Sequence, residues 1–220
     1  MAIQSLKMVP TRVRITSILK RAIYSGEYKS GQELSLTGIA EQLGVSRTPV
    51  REAFQTLEAE GLITLRMSKG AIVNTIDEKF IRDTFEMRIL LESTAAYKAA
   101  EHGLKNVDNL IKRLTDLHAA TSPIDRDTYE QLNQEIHTAI WEAADNRKLT
   151  SYLMELWNGP STGHSIPEEQ KHFHLSTEEH LQILTAIRDK VPDKAKEAMT
   201  EHLKRSEQNV LRYLAEKNKA

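Results

Sequence analysis

The spacing of apolar residues near the start of the chain predicts three short helices. The first ends before the glycine-containing turn "SGEYKSG", and its apolar stripe consists of Val13, Ile15, Ile18, Leu19, Ala22 and Ile23. A second helix is predicted from Leu36 to Leu43, where a glycine follows. A third begins after Ser46, a residue type that favours the N-cap position. The buried face of this third helix is predicted to comprise Val50, Ala53, Phe54 and Leu57.

Beyond Gly61 the pattern changes from helical spacing to two short apolar runs. The segments "LITLR" and "AIVNT", separated by "MSKG", predict two strands joined by a tight turn. Helix, helix, turn, helix and a two-stranded wing, in this order, are typical of a winged helix-turn-helix domain. We predict this domain over residues 1–75.

Residues 76–220 form a second predicted domain, which shows helical spacing and no strand pattern, so the chain is predicted to be mainly α. The segment "NGPSTGHSIPEEQKHFHL" is the one long irregular stretch of this domain. Directly after it, "STEEH" predicts the start of a new helix, with a capping box from Ser176 to Glu179. The segment "KVPDK" then separates this helix from the last one, which is expected to end near Lys217.

Charge is distributed unevenly along the chain. Residues 1–74 carry ten Lys and Arg against six Asp and Glu, a net of +4, and the remainder carries 20 against 25, a net of −5. The basic first domain therefore suggests a polyanionic partner. The chain has no cysteine, no apolar run near the roughly 20 residues of a membrane span, and no signal-peptide core at its start. We therefore expect a cytoplasmic protein without a membrane partner.

The third helix carries a polar face opposite its buried one, and the turn between the two strands lies beyond it in the chain. A helix fits the DNA major groove, where arginine donates bidentately to guanine or binds phosphate. The helix N-terminus and a serine hydroxyl at the N-cap suit a phosphate oxygen. The predicted DNA-binding residues are therefore Ser46, Arg47, Thr48, Arg51, Lys69 and Gly70.

The segment "GVSRTPVREAFQTLEAEGLI" resembles the signature of the GntR family of bacterial transcription regulators, and "YKSGQELSLTGIAEQLGVS" is similar to its usual lead-in. The helical domain resembles the FCD domain of the FadR branch of this family, an antiparallel bundle of six or seven helices that binds an effector. The resemblance implies a homodimer that binds double-stranded operator DNA and responds to a small molecule, rather than an enzyme. It places the family's DNA contacts on Ser46, Arg47, Thr48, Arg51 and Gly70.

The helical domain also carries polar residues at spacings that suit a metal site. Asn133 and His137 are four residues apart on one helix face, while His180 and His202 are equidistant from Val191, between the last two helices. In an antiparallel hairpin these two histidines lie at the same level, each about 16 Å from the turn. Imidazole nitrogens suit zinc, nickel or a similar divalent ion. Many FCD domains carry an Asp-x-x-x-His pair and two later histidines as metal ligands, and the resemblance assigns these roles to Asn133, His137, His180 and His202, with an amide replacing the carboxylate.

The resemblance also makes Arg88, in "EMRILLE", a candidate to bind a carboxylate effector, because the arginine of this segment commonly faces the ligand cavity of FCD domains. Glu92, four residues further on, is its alternative partner. The other histidines match no ligand position. We expect His102 and His118 at the surface and His164, His172 and His174 in a loop.

Two alternatives stay open for the function. Three histidines with an open coordination position can activate water, as in a metal-dependent hydrolase, but no HExxH-type pairing supplies a general base beside them. Alternatively, the ion is itself the signal, and the protein is a metal-sensing regulator. We favour a regulator that binds a small organic acid beside the ion.

Overall fold

The computed structural model describes residues 11–67, 70–120, 122–157 and 166–217. The chain forms two compact units, of which one ends at Ile76 and the other starts at Asp77. Helices dominate the fold, which is mainly α, as predicted. None of the described helices is both long enough and apolar enough to cross a membrane.

The first unit is a winged helix-turn-helix. Its elements in chain order are α1 (Thr11–Ser25), β1 (Glu33–Leu34), α2 (Leu36–Gln42), α3 (Arg47–Ala59), β2 (Ile63–Arg66) and β3 (Gly70–Val73). The helices and the two wing strands occur where the apolar pattern predicts them. A buried ion pair of 2.6 Å, between Lys20 Nζ and Glu60 Oε1, links α1 to the end of α3. Burial lowers the pKa of Lys20 although Glu60 opposes the shift, so the ammonium depends on this carboxylate for compensation.

The strand β1 is absent from the sequence-based prediction. It pairs antiparallel with β3, which lies between β1 and β2, and Leu34 stands opposite Ala71. A strand of two residues has no alternation to detect, because its partner strand determines its position. The same pairing explains Gly70, whose φ is +100° and where a Cβ atom would lie 2.0 Å from the Leu34 carbonyl oxygen. The sheet therefore requires this glycine independently of any contact with DNA.

The second unit is built from packed helices. They are α4 (Glu78–His102), α5 (Val107–His118), α6 (Arg126–Ala143), α7 (Arg147–Leu156), α8 (Ile166–Arg188) and α9 (Pro192–Lys217). Aspartates cap two of them, since Asp77 accepts from the Phe80 N–H and Asp125 from the Thr128 N–H. The last helix, α9, packs against α4 and α8. The core between the helices is mainly aliphatic, and α4 contributes small residues to it, namely Ala95, Ala96, Ala99 and Ala100.

The predicted helix start at Ser176, with its capping box, is wrong. Helix α8 begins at Ile166 and is continuous through Ser176, which is buried and accepts a 2.8 Å hydrogen bond from the Tyr129 hydroxyl. Phe173, one turn earlier, stacks on the Tyr129 ring with centroids 4.1 Å apart. Packing against α6 therefore extends the helix into a stretch without helical periodicity of its own. The beginning of that stretch, 158–165, lies outside the described residues.

Candidate DNA-binding surface and metal centre

The polar face of α3 is exposed, while its opposite face, from Val50 to Leu57, is completely buried. Ser46 occupies the N-cap with extended backbone, but its side chain makes no capping hydrogen bond, so the hydroxyl is available to a ligand. Arg47 and Arg51 are exposed, and neither guanidinium has a hydrogen-bond acceptor among the described residues. Within the described part of the chain, the helix therefore presents two cations without a partner beside its N-terminus.

A groove of about 380 Å³ separates the exposed face of α3 from the wing. Its lining includes both arginines, Gln55 of α3 and Arg66 of β2. Arg66 also donates to Glu33 at 3.0 Å, but both side chains are largely exposed, and such pairs are weak. Gly70 borders the groove, and the predicted contact Lys69 lies outside the described residues. A basic groove beside a helix N-terminus suits the phosphate backbone of DNA.

Three histidines converge inside the second unit. His137 of α6, His180 of α8 and His202 of α9 each offer a ring nitrogen, and these atoms all lie within 4.8 Å of one another. The Nε2 atoms of His137 and His180 are 3.1 Å apart, and the ring centroids of His180 and His202 are 4.5 Å apart. All three side chains are buried. His180 and His202 therefore lie at the same level of the α8–α9 hairpin, as their equal distances from the turn predict.

A buried carboxylate, Glu92 of α4, fixes the His137 ring. His137 donates through Nδ1 to Glu92 Oε2 at 2.6 Å, and Trp141 donates through Nε1 to the same oxygen at 3.2 Å. Arg88 donates through Nε to Glu92 Oε1 at 2.8 Å. Burial alone would raise the pKa of Glu92, but Arg88 and His137 outweigh it and hold the pKa at about 2. Because an ionised carboxylate only accepts, the His137 proton stays on Nδ1 and Nε2 faces His180.

A second carboxylate, Glu179 of α8, holds His202 in the same way. His202 donates through Nδ1 to Glu179 Oε2 at 2.7 Å, and Arg205 donates to both carboxylate oxygens through Nε and Nη2. Burial would raise the pKa of Glu179, yet the hydrogen bonds from His202 and Arg205 lower it. The Nδ1 atom of His202 is therefore occupied, which leaves Nε2 as its ligand atom.

The imidazoles of this cluster fit a divalent ion. Burial lowers the pKa of His202 to about 4, and burial together with His202 and His137 lowers the pKa of His180 well below its ordinary value. Both rings are therefore neutral near pH 7, the form that binds a metal. Zinc bonds imidazole nitrogen at about 2.0–2.1 Å, which holds two ligand atoms roughly 3–3.5 Å apart. The 3.1 Å between the Nε2 atoms of His137 and His180 lies in this range.

Asn133 and Arg88, the other predicted site residues of this unit, occupy different positions. Asn133 is half-buried and lies one turn before His137 on α6. Arg88 is buried, and its guanidinium lies 5.1 Å from the centroid of the Trp157 ring. Among the described residues Glu92 is its one hydrogen-bond acceptor, through Nε, so the terminal Nη groups remain available. The Trp157 ring also contacts His137, with centroids 4.4 Å apart, so Arg88 and the cluster share one wall.

The other described histidines lie outside the cluster. His102 and His118 are exposed, as predicted. The expectation that His172 and His174 lie in a loop is wrong, because both belong to the extended first part of α8. His164 lies outside the described residues.

The carboxylates Glu92 and Glu179 are absent from the sequence-based assignment of the site. The spacing of Glu92 indicates only a pair with Arg88, because its contact with His137 depends on the packing of α4 on α6. The sequence carries one indication of the role of Glu179, because this residue directly precedes a predicted ligand in "EEH". Metal-bound histidines usually donate their second nitrogen to a carboxylate, so an acid beside a ligand in the sequence is worth testing.

A winged helix-turn-helix with exposed arginines on α3, in one chain with a helical unit that contains a buried polar site, is an arrangement typical of DNA-binding regulators. Residues 11–73 match the family described as "Bacterial regulatory proteins, gntR family", and residues 83–205 match the FCD domain. The chain belongs to the GntR family and carries an FCD domain. It is a transcriptional regulator and not an enzyme, which removes the hydrolase alternative.

Individual relatives agree with this assignment. The Uxu operon regulator of Haemophilus influenzae is 31% identical in an alignment that covers 88% of this chain and 79% of that protein. The structure of E. coli McbR/YncC has a TM-score of 0.72 and 23% identity, and covers 95% of this chain and 99% of that one. The Zn²⁺-bound FCD domain of TM0439 has a TM-score of 0.51 and 23% identity, and covers 64% of this chain and 98% of that one. At these identities the two structures show a shared fold alone.

Proposed function

We propose that the helical unit of this regulator, residues 76–220, binds one divalent ion, zinc or nickel, through His137, His180 and His202. A small organic acid bound beside the ion would then change the affinity of the DNA-binding unit, residues 1–75, for operator DNA. The observation that carries the proposal is the convergence of three buried imidazoles whose ligand atoms lie within 4.8 Å of one another. The zinc-bound state of the TM0439 domain supports it by analogy of fold.

The proposal is tested on freshly purified full-length protein by native mass spectrometry and elemental analysis. We expect close to one zinc or nickel ion per chain, or uptake of one on titration, because three neutral imidazoles form a ready ligand set. Removal of the ion by a chelator should lower the melting temperature by mass action. Protein that holds no ion and shows no thermal shift with either metal would contradict the metal proposal.

The Asn133→Asp variant is expected to bind the metal more tightly than the wild type. Asn133 lies one turn before His137 on α6, and an anionic ligand interacts with a divalent ion more strongly than a neutral amide does. The measurement is a competition titration of zinc against a chromophoric chelator. The control is Gln134→Glu, which adds the same charge at the neighbouring exposed position. Equal zinc affinity in the Asn133→Asp and wild-type proteins would remove Asn133 from the proposed site.

An effector beside the ion would meet a second cationic group in Arg88. The guanidinium is buried on the same Trp157 wall as His137, and its Nε is bound to Glu92. Its Nη groups are free of acceptors among the described residues, so they can donate to a carboxylate without breaking the bond to Glu92. Because Asn133 adds no charge to the ligand set, an ion at this site would keep its full positive charge toward an incoming anion. Short organic acids are therefore favoured over neutral sugars or long acyl chains.

We expect Arg88→Ala to weaken effector binding by roughly 10- to 100-fold, the range for loss of a hydrogen bond to a charged group. Calorimetry with a panel of short mono- and dicarboxylic acids identifies the acid, and the variant is then titrated with it. Arg113→Ala is the control, because Arg113 is exposed and pairs with Glu135 away from the cluster. An acid that binds the Arg88→Ala and wild-type proteins equally well would contradict the role of Arg88, and a neutral effector would contradict the acid class.

The proposed regulator acts as a homodimer on a pseudo-palindromic operator, since one recognition helix per chain reads one half-site. The effector changes operator affinity only if it binds one arrangement of the dimer better than another. In a metal-sensing regulator the ion alone has this effect. Operator binding measured with and without a chelator, each in the presence and absence of the acid, separates the two mechanisms.

A further inference from the structure

The ion pair between Glu179 and Arg205 lies directly behind one ligand of the histidine cluster. We propose that Glu179 and Arg205 are positioning residues for His202, so that metal affinity depends on this pair; the inference rests on the proposed metal site. Glu179 precedes His180 on α8 and binds the Nδ1 proton of His202 on α9 at 2.7 Å. Two consecutive residues of α8 therefore have different roles: His180 is itself a ligand, and Glu179 orients the ligand His202 of α9.

Arg205 is itself held in place from its far side. While Nε and Nη2 bind Glu179, Nη1 donates to His172 Nδ1 at 3.1 Å. The same Nδ1 accepts from Asn209 Nδ2 at 3.0 Å, and Arg212 donates to Asn209 Oδ1, which fixes the orientation of that amide. With two donors directed at it, His172 Nδ1 must be an acceptor. All three nitrogens of the Arg205 guanidinium are therefore hydrogen-bonded, which restricts its rotation.

The other side of His172 ties this chain of hydrogen bonds to the bundle core. His172 Nε2 lies 3.4 Å from the Tyr129 hydroxyl, which donates to Ser176 at 2.8 Å. Tyr129 belongs to α6, so residues of α6, α8 and α9 all contribute to the support behind His202. This explains why buried Ser176 and Tyr129 are polar at positions where the core would otherwise be apolar.

The cluster has a matching support on its other side, where Arg88 holds Glu92 and Glu92 holds His137. Each of these two histidines therefore has a carboxylate on Nδ1 and an arginine on that carboxylate. A carboxylate in this place fixes the tautomer and the orientation of a metal-binding ring. If the ion pair between Glu179 and Arg205 served only to connect α8 to α9, its carboxylate would not also need to bind a ligand histidine.

The test compares zinc affinity of Glu179→Gln and Arg205→Met with that of Glu178→Gln, a control with the same change at the exposed neighbouring position. Competition with a chromophoric chelator is expected to show 10- to 100-fold weaker zinc binding for the first two variants, the range for loss of a residue that supports a ligand. The control should bind like the wild type. Arg205→Lys keeps the charge but not the two-pronged geometry, so it should restore only part of the affinity.

A second readout separates positioning from a general loss of structure. In metal-free protein, ¹⁵N NMR of the histidine rings should show His202 protonated on Nδ1 in the wild type and as a mixture of tautomers in Glu179→Gln, with the other rings unchanged. Zinc affinity of Glu179→Gln equal to that of the Glu178→Gln control, or an unchanged His202 tautomer, would overturn the inference alone. Wild-type protein that takes up no ion would overturn the proposed metal site and this inference with it.

Discussion

The His180→Ala variant is expected to lose metal binding, with zinc affinity reduced by more than about 100-fold, the upper range for residues that merely support a ligand. His180 is buried and contacts both other histidines, and its lowered pKa keeps the ring neutral, the form that binds a metal. His118→Ala is the matched control, since His118 is exposed on α5 and lies outside the cluster. Elemental analysis and chelator competition give the two affinities. A His180→Ala protein that retains one ion per chain would remove His180 from the ligand set.

The same two variants show whether the metal stabilises the fold. Wild-type and His118→Ala proteins should melt at a lower temperature after chelation, because an ion that binds only the folded state adds to its stability. His180→Ala should melt at one temperature with and without the chelator. Loss of the imidazole also leaves a cavity, which lowers stability in both conditions, so the comparison that matters is within each variant.

The pattern of apolar residues predicts most of the helices because each of them buries one face. In α3 the residues from Val50 to Leu57 predicted to be buried are buried, and the residues between them are polar. The convergence of His180 and His202 is also predictable. One short turn joins α8 to α9, so residues at equal distances from the turn lie at the same level of the hairpin. These successes share one cause, which is that the information is local or is carried by a simple hairpin.

The parts that the sequence does not predict all depend on contacts between distant segments. The first half of α8 is helical because Phe173 stacks on Tyr129 of α6, a contact invisible in the "HFHLS" segment alone. The strand β1 forms because β3 pairs with it, and the same pairing leaves no room for a Cβ atom at Gly70. Glu92 meets His137 across two helices and 45 positions of sequence. Such contacts follow from tertiary packing, which propensity and periodicity do not encode.

Replacement of Arg47 or Arg51 by alanine is expected to weaken operator binding by about 1–3 kcal/mol if the residue reads a base edge. Both guanidinium groups are exposed on α3 and have no acceptor among the described residues, so their hydrogen bonds are available to DNA. The DNA is a fragment selected by the wild-type protein from a random-sequence pool, and affinity is measured by gel-shift titration. Arg147→Ala is the matched control, because Arg147 is the exposed first residue of α7, as Arg47 is of α3.

The salt dependence of the same titrations distinguishes the two ways in which each arginine can bind. An arginine that contacts phosphate releases counterions, so its loss should reduce the slope of log affinity against log salt by about 1 and weaken binding to all sequences alike. If the arginine donates to guanine, its removal should strongly reduce the preference for the selected sequence. Arg47 is the first residue of α3 and Arg51 lies one turn further on, so both belong to the N-terminal part of the helix that contacts base edges in helix-turn-helix proteins, and the titrations assign a role to each. If both variants bind the selected fragment as tightly as Arg147→Ala does, at every salt concentration, then α3 is not the recognition helix of this regulator.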